Sequence, residues 1–198
     1  MNAEELSQKV LEKLKEFKVQ ALLPALKDCS QGAIEDVLNT NGSAYYQFST
    51  CLVDLLKPAQ VIELGGAMGV WCLCVLHSLP TDSKLYSITL PEHGLEFSFI
   101  KDNYPNLIKV LGDDLDLKNW LANLYLSHTD LWFFDSLHTK EHLEKELELY
   151  KQFFRKGTIL LFDDIRMEEL WPVWESLPYD KAELTNPCHY SGYGLCIV

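Results

Sequence analysis

Short apolar runs alternate along this chain with longer segments in which apolar residues recur at helical spacing. Near the N-terminus, apolar residues separated by charged ones predict an amphipathic helix over residues 3–18, and a second helix is predicted over 45–56. Farther on, five apolar runs are separated by segments long enough to form helices. This pattern is typical of a parallel sheet with helices on both faces. The predicted strands are residues 61–64, 85–89, 108–111, 131–134 and 158–162, and the predicted helices between or after them are 70–79, 95–103, 117–124 and 140–154.

The end of the chain has a different pattern. Two short segments, 181–185 and 194–198, are joined by turn-forming residues that leave no room for a crossover helix. They predict an antiparallel hairpin at one edge of the sheet. The expected fold is α/β, a Rossmann-like doubly wound, mostly parallel sheet with a C-terminal antiparallel hairpin. We expect one domain over 1–198, with a helical segment (1–57) covering the ligand side of a core formed by 58–198.

The composition limits the kinds of protein and partner that fit this sequence. The chain has 198 residues, of which 47% are hydrophobic, so one domain can bury a substantial core. Its net charge of −12 disfavours nucleic acid and anionic membranes as main partners. No signal peptide or membrane-length apolar run is present, so a cytoplasmic protein is expected. The six cysteines lack paired spacing, which predicts reduced core residues. A homodimer is compatible with this sequence.

A glycine-rich loop follows the first predicted strand and precedes a helix, with the spacing E-x-G-x-x-x-G. Glycines at such a position let the backbone approach a ligand and direct amide groups at it. The spacing does not fit the dinucleotide fingerprint G-x-G-x-x-G, and a tight turn of purely structural purpose is the alternative. The loop residues available to a ligand are Glu63, Gly65, Gly66, Ala67 and Gly69.

Polar residues also follow the later strands. The third strand leads into Asp113 and Asp114, the fourth into Asp135, and the fifth into Asp163 and Asp164. Open α/β sheets bind ligands at the carboxyl ends of their strands, so these acidic side chains are expected to converge on one site.

From residue 61 to 165, and more loosely to 198, the chain resembles class I S-adenosylmethionine-dependent methyltransferases. The loop matches the family pattern except at Ala67, and the Asp of Gly112-Asp113 matches the residue near the adenine amino group. The resemblance implies that S-adenosylmethionine contacts the loop residues, Asp113 and Asp135. The family has an acidic residue at the end of strand two, where this chain has Thr89, so Glu92 becomes the candidate for holding the ribose hydroxyls.

Residues 130–139 resemble a subgroup that includes sugar and macrolide O-methyltransferases and is loosely related to catechol-type enzymes. Many of its members bind a divalent metal through acidic residues after strands four and five. The resemblance therefore implies that Asp135, Asp163 and Asp164 bind Mg²⁺. However, Leu137 replaces a second aspartate of that segment. The alternative is that Asp163 or Asp164 caps a helix beginning near residue 167.

Histidines near the fourth strand end are candidates for proton transfer. His138, acting with Asp135, is the candidate general base, since imidazole titrates near neutral pH and the family has a histidine there. The alternative is that His138 only orients Asp135 or caps the next helix. His142 lies one turn farther on, but its charged neighbours favour a solvated surface over a metal site.

The sequence thus predicts a methyltransferase that uses S-adenosylmethionine on a small molecule, by O-methylation with possible assistance from Mg²⁺. A non-catalytic S-adenosylmethionine-binding or scaffold protein is the alternative, because Ala67, Thr89 and Leu137 depart from the family pattern. A nucleotide-dependent oxidoreductase is disfavoured by the glycine spacing and the terminal hairpin.

Overall fold

One sheet of seven strands organises the chain. The computed structural model describes residues 1–39, 43–91, 104–119, 126–184 and 188–198. The strands are β1 (Gln60–Leu64), β2 (Lys84–Thr89), β3 (Leu107–Leu111), β4 (Leu131–Phe134), β5 (Ile159–Asp163), β6 (Asp180–Glu183) and β7 (Tyr193–Ile197).

The strand order is β3-β2-β1-β4-β5-β7-β6. The first five strands are parallel, while β7 is antiparallel to both β5 and β6. This arrangement confirms the predicted doubly wound sheet and its terminal hairpin. Each strand begins and ends within two residues of its predicted position, and β5 extends far enough to include Asp163.

The strands are apolar on both faces. Trp132 and Phe134 of β4 pack on one face, while Phe133 packs on the other, because successive side chains of a strand point in opposite directions. One hydrophobic cluster joins the Phe133 face to α1, α3 and α4, and the other joins the opposite face to α5 and α6. The helices are α1 (Ala3–Glu16), α2 (Gln31–Leu38), α3 (Tyr45–Leu56), α4 (Val70–Leu76), α5 (Lys140–Tyr150) and α6 (Trp171–Ser176).

Several helices differ from their predicted extents. The last predicted helix becomes α5 followed by a 3₁₀ turn, Lys151–Phe153, and neither α2 nor α6 was predicted with its observed bounds. Both are too short, at eight and six residues, to show helical periodicity clearly. The segment predicted as a helix over 117–124 begins as a 3₁₀ turn, Leu117–Asn119. Its remainder and the helix predicted over 95–103 lie outside the described residues.

The N-terminal helices pack mainly against one face of the sheet. Helix α1 contacts α3 and the hairpin strands, and a salt bridge of 2.5 Å joins Lys13 to Asp54. The start of α3 reaches the carboxyl edge of the sheet, where the Tyr45 ring centroid lies 4.6 Å from that of His189. Five of the six cysteines are buried and all six are free, as expected. Within the described ranges, no helix combines the length and apolarity needed to cross a membrane.

Candidate active site

A cavity of about 440 Å³ opens at the carboxyl ends of β1, β2, β3 and β4. Its position is the one expected for a ligand site in an open α/β sheet. The structure brings four of the predicted site residues to its wall: Gly65, Ala67, Asp113 and Asp135. The remaining wall residues are Ile88, Thr89, Leu90, Gly112, Asp114, Leu115, Ser136, Leu137 and His142.

The glycine loop is held against the end of β2. The backbone amides of Gly65 and Gly66 both donate to the carbonyl oxygen of Ile88, at 3.1 and 2.9 Å. Gly65 has a φ of +92°, and a Cβ there would overlap the carbonyl oxygen of Asp135. A residue with a side chain therefore fits at this position only if the backbone after β4 moves. Ala67 has a φ of +28°, a conformation costly for a residue with a side chain.

Glu63 lies beneath this loop and is absent from the residues that line the cavity. Glu63 is only 2% exposed, and its carboxylate accepts hydrogen bonds from the Cys72 thiol, at 2.6 Å, and from the Ser87 hydroxyl. Burial raises the pKa of Glu63 to about 6. In this position Glu63 ties β1 to β2 and α4. Its direct contact with a cofactor stays a prediction.

The other predicted cofactor residues lie around the cavity in different ways. Asp113 follows β3, and its Oδ1 accepts a hydrogen bond of 2.8 Å from the Leu115 amide, which fixes the turn. Thr89, at the end of β2, is a wall residue and is buried. Glu92, the candidate for the ribose hydroxyls, lies outside the described residues.

His138 bridges two of the predicted acidic residues. Its Nε2 lies 3.1 Å from Asp135 Oδ1, and its Nδ1 lies 3.3 Å from Asp164 Oδ2. The hydrogen bond with Asp135, together with the nearby carboxylates, raises the pKa of His138. Burial and the charge of Asp163 raise the pKa of Asp135 to about 8. The His138 side chain is 37% exposed, so the bridge remains open to solvent.

His189 is a member of this site that the sequence analysis did not single out. Its Nδ1 lies 2.8 Å from Asp163 Oδ1, and the Ser191 hydroxyl donates to Asp164. Burial lowers the pKa of His189, but the hydrogen bond with Asp163 and the charge of Asp164 raise it overall. One signal in the sequence could have found His189: it lies in the connection that leads into β7, the hairpin strand that pairs with β5.

Asp163, Asp164 and His189 form a compact set of potential metal ligands, with one donor atom from each lying within 4.8 Å of the others. Asp135 stands beside this set and is linked to it through His138. The alternative interpretation, in which Asp163 or Asp164 caps a helix near residue 167, is wrong. The next helix, α6, begins at Trp171 and has Leu170 at its N-cap.

The expectation that His142 lies on a solvated surface is also wrong. Its side chain is 15% exposed, and its Nε2 lies 3.1 Å from Asp114 Oδ1 in the wall of the cavity. The charged neighbours that suggested solvent, such as Lys140 and Glu144, are exposed on other sides of α5. A single buried face of a helix is hard to recognise where charged residues surround it in sequence.

Comparisons with known proteins agree with this geometry. A family model described as a methyltransferase domain matches residues 62–165, just over half of the chain. Comparison with curated proteins by sequence finds no match.

Solved structures with the same fold include an O-methyltransferase from Bacillus cereus in complex with SAH, with a TM-score of 0.63 and 15% identity, covering 92% of each chain. Another is the O-methyltransferase TomG from Streptomyces achromogenes, which is involved in tomaymycin synthesis and was solved in complex with SAM. Its TM-score is 0.60 at 15% identity, over 91% of this chain and 88% of that one. A third is cofactor-bound Rv0187 from MTB, with a TM-score of 0.63 and 16% identity, over 91% of this chain and 95% of that one. The present chain therefore belongs to the methyltransferase-domain family, which confirms its resemblance to class I S-adenosylmethionine-dependent methyltransferases.

Proposed function

We propose that this methyltransferase transfers the methyl group of S-adenosylmethionine to a hydroxyl oxygen of a small molecule. One observation carries the proposal: the cavity at the carboxyl edge of the sheet is bordered by the glycine loop and by Asp135, next to His138. Two of the structural neighbours are O-methyltransferases in complex with SAH or SAM. The net charge of −12 favours a small acceptor over a nucleic acid.

The cavity is suited to an adenosine cofactor. Its volume of about 440 Å³ lies within the range of small-molecule sites, and most of its wall is formed by backbone and apolar side chains. Asp113 lies at the β3 end, where the adenine amino group is expected. Asp135 and Gly65 lie at the β1 and β4 end, where the methionine part and its sulfonium are expected. A carboxylate near the sulfonium would favour the positively charged donor.

Methyl transfer requires the protein to position the donor and the acceptor and to take up the acceptor's proton. The acceptor oxygen attacks the methyl carbon, the carbon–sulfur bond breaks, and its electron pair stays on sulfur to give neutral S-adenosylhomocysteine. The hydroxyl proton must go to a base. We assign this role to His138, because it is more exposed to an acceptor than the buried His189 and its hydrogen bond to Asp135 strengthens it as a base.

The acidic groups also fit a divalent cation. Burial raises the pKa of Asp135 and of Asp163, a sign that their negative charges lack full compensation. Carboxylate oxygens are the ligands that Mg²⁺ prefers, and Asp135, Asp163 and Asp164 would hold it. Such an ion, when bound, lowers the pKa of an acceptor hydroxyl and orients it.

Calorimetry with S-adenosylmethionine, S-adenosylhomocysteine and NAD tests the cofactor. We expect both sulfur compounds to bind and NAD not to bind. If neither sulfur compound binds, the proposal is refuted.

A model set of catechols and sugars then tests methyl transfer, with chelator added in one arm and Mg²⁺ restored in another. We expect the double substitution Asp163→Asn and Asp164→Asn to remove any response to Mg²⁺. If the activity never responds to chelator, the proposed role of Mg²⁺ is rejected. The activity of His138→Gln then decides whether His138 is the general base.

A further inference from the structure

A second group of potential metal ligands lies in and behind the wall of the same cavity. Helix α5 carries His142 and Glu146 one turn apart, so both side chains lie on the same helical face. That face is turned toward Asp114, in the loop after β3. One donor atom from each of the three residues lies within 4.8 Å of the others.

The burial of this group is unusual for three ionisable side chains. The side chains of Glu146 and Asp114 are 1% and 11% exposed. Burial raises the pKa of Asp114, and burial together with the charge of Asp114 raises that of Glu146 far more. No lysine or arginine is paired with either carboxylate in the ion pairs formed by the described residues. Their charge is therefore poorly compensated.

His142 provides an independent observation. Its Nε2 is fully buried, yet among the described residues it makes no hydrogen bond, because the nearby carboxylate oxygens lie off the direction that a ring N–H requires. A buried polar atom without a hydrogen bond is costly unless another partner satisfies it. The atom lies 3.1 Å from Asp114 Oδ1 and 3.7 Å from Glu146 Oε1.

The separations from His142 Nε2 are close to those between ligands that share one ion. A metal bound at about 2.0–2.2 Å to nitrogen and oxygen holds neighbouring ligand atoms roughly 3.0–3.5 Å apart, in octahedral or tetrahedral geometry. The 3.1 Å separation from Asp114 lies in this range, and the 3.7 Å separation from Glu146 requires a contraction of a few tenths of an ångström.

The surroundings also resemble an outer ligand shell. The Ser136 hydroxyl donates to Glu146 Oε1 at 2.7 Å, and the Tyr150 hydroxyl donates to the carbonyl oxygen of Asp114. Hydrogen bonds of this kind orient ligating carboxylates in metal sites.

We propose that Asp114, His142 and Glu146 form a binding site for a divalent first-row transition cation such as Zn²⁺. One imidazole and two carboxylates form a donor set that suits such cations better than Mg²⁺. Because Asp114 and His142 are both wall residues of the cavity, a bound ion fixes the loop after β3 against α5 and shapes that wall. The site is separate from the group of Asp135, Asp163 and Asp164.

The test is a titration of chelator-treated protein with Zn²⁺ alone, followed by calorimetry and by the shift in melting temperature. We expect wild-type protein to bind one equivalent at this site, and His142→Gln and Glu146→Gln each to weaken that binding at least tenfold. The matched controls are His138→Gln and His189→Gln, which remove the two imidazoles of the other group and should leave this equivalent in place. X-ray absorption of the zinc-loaded protein should show nitrogen and oxygen ligands, with imidazole among them and no sulfur.

Three results would overturn the proposal: no zinc binding, unchanged affinity in His142→Gln, or loss of the zinc in His189→Gln. Circular dichroism checks that each variant folds. Where His142→Gln does not fold, Glu146→Gln, which keeps nearly the same side-chain shape, decides. The titration contains no S-adenosylmethionine, so its outcome is independent of the proposed methyl transfer.

Discussion

Gly65 and Gly157 share a left-handed backbone but differ in what surrounds them. Their φ values are +92° and +88°, so alanine at either position meets the same conformational cost. A Cβ at Gly157 would meet nothing within 4 Å, whereas one at Gly65 would overlap the backbone of Asp135 and Ser136. The pair therefore separates the cost of a positive φ from the cost of a steric clash.

We predict that Gly157→Ala lowers the free energy of unfolding by roughly 1 kcal/mol and that Gly65→Ala lowers it by about 2–4 kcal/mol. The excess at Gly65 arises because β4 must move away from β1. Urea unfolding of both variants measures the two values. Equal losses would show that the end of β4 moves at little cost, and that the steric clash adds nothing to the cost of the positive φ at Gly65.

Residue-level roles were predictable where chain position determines them. Asp135, Asp163 and Asp164 follow predicted strands, and strand ends of a parallel sheet meet at one edge, so their convergence could be read from the sequence. His142 and His189 could not be placed in this way. The direction of His142 depends on the rotation of α5 about its axis, and that of His189 on the path of a connection between strands.

Elements were predicted best where burial on both faces produces a continuous apolar run. This holds for β1, β4 and β5, in which four or five consecutive residues are nearly all buried. Helix α2 has no such signal, because only Ala33 and Val37 are buried in its eight residues. Its start depends on a local interaction instead, a hydrogen bond of 3.2 Å from the Ala33 amide to the Ser30 hydroxyl.

The attachment of α1 to the hairpin gives a prediction about elements. The backbone amide of Ala3, in the first turn of α1, donates to Asp180 Oδ2 of β6 at 2.7 Å. The carboxylate satisfies a free amide and interacts favourably with the positive end of the helix dipole. We expect Asp180→Ala to lower the free energy of unfolding by about 1–2 kcal/mol, and therefore the melting temperature by roughly 2–8 °C.

Hydrogen exchange locates this effect. Amides in the first two turns of α1 should exchange faster in Asp180→Ala than in the wild type. Amides of β1 and β4, which exchange by global unfolding, should lose no more protection than the change in overall stability accounts for. The control is Asp36→Ala, which removes an exposed carboxylate from α2. A loss of stability as large in the control would attribute the effect to net charge rather than to the hydrogen bond.

At the scale of the whole molecule, the buried ionisable groups of the site share one direction of pKa shift. The pKa of Asp135 is raised to about 8 and that of Glu63 to about 6, in each case mainly by burial. The pKa values of Asp163 and Glu146 are also raised by burial, in a protein with a net charge of −12. The fold therefore holds protons that the unfolded chain releases.

This shared direction sets the sign of the pH dependence of stability. A group whose pKa is raised in the folded state binds more protons there than in the unfolded chain, so stability falls as pH rises between the two pKa values. For Asp135 that window runs from about pH 4, the ordinary pKa of an aspartate, to about pH 8. The raised pKa of His138 acts in the same direction, because its stabilisation is complete below its ordinary pKa and is lost as the pH rises through the raised value.

We therefore predict that chelator-treated protein, without cofactor, is most stable in mildly acidic solution and loses stability steadily up to about pH 8. Urea unfolding at a series of pH values measures the slope, which amounts to at most about 1.4 kcal/mol per pH unit for each proton released. Asp135→Asn should flatten the slope near neutral pH, because the amide cannot ionise, whereas Asp36→Asn, at an exposed position of α2, should leave it unchanged. A divalent cation that binds Asp135, Asp163 and Asp164 should reverse the trend at high pH, since it stabilises the ionised carboxylates that burial penalises.

Stability that rises from pH 6 to 8 without any cation would contradict the buried, uncompensated charge on which this prediction depends.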